Sequence, residues 1–212
     1  ETDLDRAISE IADNVLQAGD NKTGRWFFLI GSPGNGKSAL LGKLYSILKN
    51  DHNCRITTWE DEEREINDLD DDELPYALQA YESGNTFPSV LIVQDASVVI
   101  DPYSADDDPA KSLVRVLKSC EQKGRSLVVA ANRGVLESVL NNYQDYRGED
   151  WLKKLQQINL TIKKGKSSRQ KFSSSSKKVF DNVCIQQESL DARSLLDDGD
   201  KNYLEQLVKK SI

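Results

Sequence analysis

The eight residues Gly31-Ser32-Pro33-Gly34-Asn35-Gly36-Lys37-Ser38 decide how the chain is read. They follow an apolar run, Trp26-Phe27-Phe28-Leu29-Ile30, and precede a helix-forming stretch from Ala39 to Leu48. A G-x-x-x-x-G-K-S spacing between a strand and a helix is that of a loop whose backbone N–H groups curl around a polyphosphate. Glycine permits the curl, Lys37 reaches the β- and γ-phosphates, and the Ser38 hydroxyl holds Mg²⁺. A helix starting near Lys37 adds the positive end of its dipole at the same point. The expected residues of this polyphosphate site are Gly31, Pro33, Gly34, Asn35, Gly36, Lys37, Ser38 and Ala39. A glycine-rich turn that binds nothing is the competing reading, and the flanking strand and helix weigh against it.

Working outward, Val90-Leu91-Ile92-Val93 is an unbroken aliphatic run ending in Gln94-Asp95. Such a run suits a strand buried on both faces of a parallel sheet, with Asp95 emerging at its tip. A carboxylate there serves to orient the Mg²⁺ that Ser38 also holds, so Ser38 and Asp95 are the expected metal ligands. A third run, Ser126-Leu127-Val128-Val129-Ala130, ends at Ala131-Asn132-Arg133-Gly134. Asn132 therefore falls at the sheet edge where ligands bind in open parallel sheets. It reads equally as a hydrogen-bonding partner of the terminal phosphate and as an ordinary turn residue.

The 212 residues allow one sizeable α/β domain whose core needs no staples. A net charge of −7 and a pI near 4.9 exclude a surface that is basic throughout, so any nucleic-acid contact must be local. Cys54, Cys120 and Cys184 are odd in number and widely spaced, which argues against a zinc site or disulfide framework and for a reducing, cytoplasmic setting. No apolar run approaches the roughly 18 residues needed to cross a bilayer. Methionine is absent, so the chain reads as a piece of a longer protein.

The remaining stretches fill in the order. Apolar residues at helical spacing predict an amphipathic helix over 3–18, closed by Asp20 to Gly24, and a short strand is expected over Cys54 to Trp59. Ten of the fourteen residues from Glu60 to Glu73 are acidic, the composition of a solvated face. Helices are expected over 74–82, 110–122 and 135–142, with another beginning near Trp151. Thr161 to Lys178 carries seven basic residues, no acid and the tract Ser173 to Ser176. It reads as a surface insertion or, through Lys163, Lys164, Lys166, Arg169 and Lys171, as a contact to DNA or RNA phosphates. Val179 to Gln187 predicts a further strand, followed by 190–196 and a terminal helix near 203–208.

Taken together, the helix before the first strand, the glycine-rich loop, Val90 to Asp95 and Val128-Val129-Ala130-Ala131-Asn132-Arg133 resemble the core of the AAA+ P-loop ATPases. The resemblance covers roughly 1–195, with 161–178 as a basic insertion and 196–212 as a C-terminal helix or the start of a truncated lid. It implies a three-layer αβα fold with a five-stranded parallel sheet in the order 5-1-4-3-2, strand five being Val183 to Gln187. It also makes Lys37, Asp95 and Asn132 the catalytic set. More narrowly, the loop wording, the Asp95-Ala96-Ser97 phrase and Leu190-Asp191-Ala192-Arg193-Ser194-Leu195 resemble the DptF-type ATP-binding proteins of DNA phosphorothioation-dependent restriction.

Two departures bear on activity. Ala96 stands where the family carries the glutamate that activates water, with Gln94 or Asp101 as substitutes. The helical lid is also short. Arg133, Arg147 and Arg169 are the candidates for an arginine acting across subunits.

The leading expectation is an ATP-binding, ATP-hydrolysing subunit of a DNA-processing or antiphage restriction system, working as a homo-oligomer or within a multi-protein defence complex. The alternative is a nucleotide-binding scaffold or switch that hardly hydrolyses. A GTPase fits poorly, because Asn132-Arg133-Gly134-Val135 lacks the lysine and aspartate of N-K-x-D. A small-molecule kinase is a further, weaker alternative.

Overall fold

The computed structural model describes residues 3–16, 24–32, 34, 36–59, 76–98, 108–132, 134–135, 137–138, 154–156, 158, 177–180 and 183–189. Its ten elements run α1 (Asp3–Leu16), β1 (Gly24–Ile30), α2 (Lys37–Asn50), β2 (Arg55–Thr58), β3 (Ala77–Tyr81), β4 (Val90–Val93), α3 (Pro109–Lys123), β5 (Ser126–Ala131), β6 (Lys177–Phe180) and β7 (Val183–Ser189). The protein is α/β, built on one mixed sheet in the order β2-β3-β4-β5-β1-β7-β6.

β1 lies between β5 and β7, parallel to both. Its bulky residues alternate between two cores, as the twofold period of a strand dictates. Trp26, Phe28 and Ile30 face α3 residues Leu113, Val114, Val116 and Leu117, while Phe27 and Leu29 face Ile8, Ile11 and Val15 of α1 and Leu41, Leu44 and Leu48 of α2. Helices thus cover both faces of the sheet. Each such buried side chain contributes roughly 1.5–3 kcal/mol from water exclusion, so the centre of the sheet is its most strongly held part.

Polar contacts fasten the helices to this frame. The buried Ser126 hydroxyl donates to the carbonyl of Val15 at 2.7 Å and accepts from the backbone N–H of Arg25 at 3.2 Å, joining the end of α1 to β1 and β5. The Trp26 indole N–H donates to the carbonyl of Arg125. Asp108 caps α3 by accepting from the N–H of Ala110 at 2.9 Å, with Pro109 in the first turn. Gly124, at φ 62°, closes that helix with its N–H directed to the carbonyls of Cys120 and Glu121.

The sheet differs from the expected five parallel strands in the order 5-1-4-3-2. β7, β1, β5 and β4 do run parallel as consecutive neighbours. Beyond β4, however, residues expected to be helical over 74–82 form β3, antiparallel to both β4 and β2. Ala, Leu and Gln favour a helix locally, yet Ala77 to Tyr81 are all buried, and pairing with β4 outweighs that weak preference. At the other end, the single strand expected over 179–187 is a pair, β6 and β7, antiparallel to each other. Lys177 and Lys178, assigned to the basic insertion, belong to β6.

The helices expected over 3–18 and 110–122 correspond to α1 and α3. Helical residues 134–135, 137–138, 154–156 and 158 are pieces of those expected from 135 and near 151. The acidic run to Glu73, residues 161–176, the segment 190–196 and the terminal helix lie outside the described residues.

Candidate functional site at the head of helix α2

The first ladder bond beyond β1 joins the N–H of Gly31 to the carbonyl of Ala131 at 3.3 Å, and there the chain leaves the sheet. Gly34 and Gly36 follow with φ of 82° and 77°, a left-handed conformation that L side chains adopt only with strain. A Cβ added to either glycine would meet no atom within 4 Å, so backbone shape rather than crowding calls for glycine, and the space beside both is open.

Gly36 is the N-cap of α2, without a side-chain cap and with no acid in the first turn. Leu40 makes the first backbone bond of the helix, to the carbonyl of Gly36 at 3.0 Å. By helix geometry the N–H groups of Lys37, Ser38 and Ala39 precede it without an intrahelical acceptor, leaving a concentration of positive potential. Ser38 and Ala39 are exposed. Lys37 folds back, its Nζ donating to the carbonyls of Gly31 at 2.7 Å and Ser32 at 2.8 Å. Its ammonium is therefore already held over the loop. Pro33 and Asn35 lie outside the described residues.

Sheet register places the other expected residues. Val93 pairs with Val129, which pairs on its far side with Phe28, so β4 ends level with positions two residues short of the ends of β5 and β1. Asp95 then projects from a strand tip two positions from β1, roughly 10 Å away between strand axes. The N–H of Gln94 donates to the carbonyl of Tyr76 at 2.9 Å, and that of Ala96 to the carbonyl of Ala130 at 3.0 Å. Asp95 is exposed between these two anchors. Its Oδ1 accepts from the backbone N–H of Ser97 at 2.8 Å and from the Ser97 hydroxyl at 2.6 Å.

Asn132, one residue past β5, accepts the N–H of Val135 on its Oδ1 at 2.9 Å and so caps the helical turn that follows. Its amide –NH₂ is the end able to donate outward. Gln94 is half-buried at the end of β4, and Ala96 is fully buried in the core beneath α3. Asp101, Arg133, Arg147, Arg169, Lys163, Lys164, Lys166 and Lys171 lie outside the described residues.

Two features were not read from the sequence. One is the grip of Ser97 on Asp95, although D-x-S is a spacing at which an aspartate accepts from the backbone two residues on. The other is the Tyr76 carbonyl beside Gln94, which needed β3 to be recognised as a strand.

Among the described residues no group of three His, Cys, Asp or Glu is placed to hold a metal by itself. Magnesium is commonly bound through one or two carboxylates together with substrate phosphates and water; here Asp95 supplies one exposed carboxylate and Ser38 one exposed hydroxyl. No described helix is long and apolar enough to cross a membrane. No protein-family model, curated protein or solved structure matches the chain.

Proposed function

We propose that the chain binds Mg-ATP at the head of α2 as a P-loop nucleotide-binding core of the AAA+ type. In this reading it works as an ATP-hydrolysing subunit of a DNA-processing or antiphage restriction assembly. The observation that carries nucleotide binding is the pair of left-handed glycines with open space beside them at an uncapped helix start, immediately before Lys37 and Ser38. A triphosphate draws Lys37 from the Gly31 and Ser32 carbonyls and accepts from the first-turn N–H groups. Ser38 and Asp95 hold the magnesium, which neutralises charge on the terminal phosphates. The Asn132 –NH₂ donates to the terminal phosphate, its carbonyl remaining on Val135. Restriction as the setting is supported by the sequence resemblance to DptF-type proteins, and a DNA contact by the basic residues Lys163 to Lys171.

A second reading, a nucleotide-dependent scaffold or switch with little hydrolysis, is favoured by one finding. Ala96 is buried, so no side chain at the position after Asp95 reaches attacking water. Steady-state phosphate release, with and without DNA and partner subunits, separates the two.

Calorimetric titration with Mg-ATP tests the shared premise. The chain is expected to bind, and Lys37→Ala to lower the affinity about a hundredfold, the scale of losing bonds from a charged donor. Undiminished affinity in Lys37→Ala overturns the assignment.

A further inference from the structure

We propose that Ser97 is a positioning residue for Asp95, fixing Oδ1 of its carboxylate so that Oδ2 is the oxygen offered to the magnesium of a bound nucleotide. The inference rests on the nucleotide reading above and extends it to a residue that the glycine-rich loop does not include.

An exposed aspartate at a strand tip ordinarily exchanges among rotamers. Asp95 is restrained in two stages. Its backbone is pinned on both sides, by Gln94 to Tyr76 and by Ala96 to Ala130, and the burial of Ala96 anchors the turn in the core. Its side chain is then held by Ser97 through two donors on the same atom, the backbone N–H and the hydroxyl of Ser97 both reaching Oδ1. The hydroxyl bond, at 2.6 Å, has the short length of an O–H donor on an anion.

Both restraints act on Oδ1. Among the described residues Oδ2 accepts no bond, so the carboxylate is a one-sided donor with its ligand atom preset. Magnesium requires near-octahedral geometry, and a ligand that is already oriented loses less freedom on binding it. The backbone bond is available to any residue at 97. The hydroxyl is what serine adds.

The experiment measures ATP affinity over a series of free Mg²⁺ concentrations, and again in EDTA, for the parent chain and for Ser97→Ala, Ser97→Cys and Ser97→Thr. Urea unfolding reports on the fold of each. Removing a partner of a metal-binding carboxylate is expected to raise the half-saturating Mg²⁺ concentration about tenfold in Ser97→Ala. Ser97→Cys, with its weaker donor, moves the same way, Ser97→Thr restores the parent value, and affinity in EDTA is unchanged throughout. A Ser97 that only stabilises the turn lowers the urea midpoint and leaves the Mg²⁺ dependence alone; that result overturns the proposal. If the parent chain binds no ATP, or binds it without regard to Mg²⁺, the nucleotide reading itself fails and the role of Ser97 falls with it.

Discussion

The backbone N–H of Ala96 donates to the carbonyl of Ala130 at 3.0 Å, extending the pairing of β4 with β5 past the last strand residue and turning the Ala96 methyl into the core. The residue after Asp95 therefore packs beneath α3 instead of facing the open end of the sheet. Asp95 itself, one position earlier, is exposed.

A glutamate at position 96, where the AAA+ ATPases carry one, should not raise phosphate release. Ala96→Glu places a carboxylate without a partner in an apolar core, which costs about 3 kcal/mol or more. The expected result is a lower urea midpoint with no gain in phosphate release. A stable, hydrolytically faster Ala96→Glu chain would show that the side chain at 96 reaches the nucleotide.

Two glycines of one helix should respond in opposite directions. Gly36 sits at φ 77°, so Gly36→Ala meets left-handed strain of about 1 kcal/mol and re-aims the N–H groups at the head of α2. Stability and ATP affinity both fall. Gly42 lies inside the same helix with nothing near an added Cβ, and Gly42→Ala gains roughly 0.5–1 kcal/mol of helix propensity while leaving ATP affinity unchanged. Thermal unfolding and calorimetry of the pair check both halves, and a stabilised Gly36→Ala that binds normally would contradict the geometry of the turn.

The buried thiols should make the fold sensitive to alkali. Burial pushes Cys120 up from 9.0 to about 12, against the opposing pull of Arg125 and Lys123. Burial, aided by the Glu82 carboxylate, pushes Cys54 up to about 11. Below pH 9 these thiols are protonated folded and unfolded alike, and their contribution to stability is constant. As pH rises from 9 towards 11–12 the unfolded chain ionises first, and stability falls by up to about 1.4 kcal/mol per unit for Cys120. Urea midpoints should be nearly level up to pH 9 and decline from pH 9 to 10 and 11, with a shallower decline in Cys120→Ala. Thiol reagents should label both residues slowly in the native chain, because the thiolate is the reactive form.

Local chemistry made much of the candidate site legible. The glycines and the G-K-S phrase mark where the backbone must curl and a helix must start, and unbroken aliphatic runs mark strands buried on two faces. Asp95 and Asn132 stand out because each closes such a run. Residues 77–81 were misread because Ala, Leu and Gln carry helix preference and a fully buried strand shows no alternation. Their strand character depends on β4 and β2, which flank them in the sheet.

The amino-acid sequence by itself determined the turn at Gly31 to Ser38, the helix after it and the apolar strands β1, β4 and β5, because backbone freedom, capping and side-chain period act within a few residues. Only the tertiary structure decided that β3 separates β2 from β4, that Ala96 faces the core, that Ser97 grips Asp95 and that Lys37 rests on the Gly31 and Ser32 carbonyls. Strand neighbours and side-chain partners are chosen by competition among surfaces across the whole chain, and no local pattern records which of them prevails.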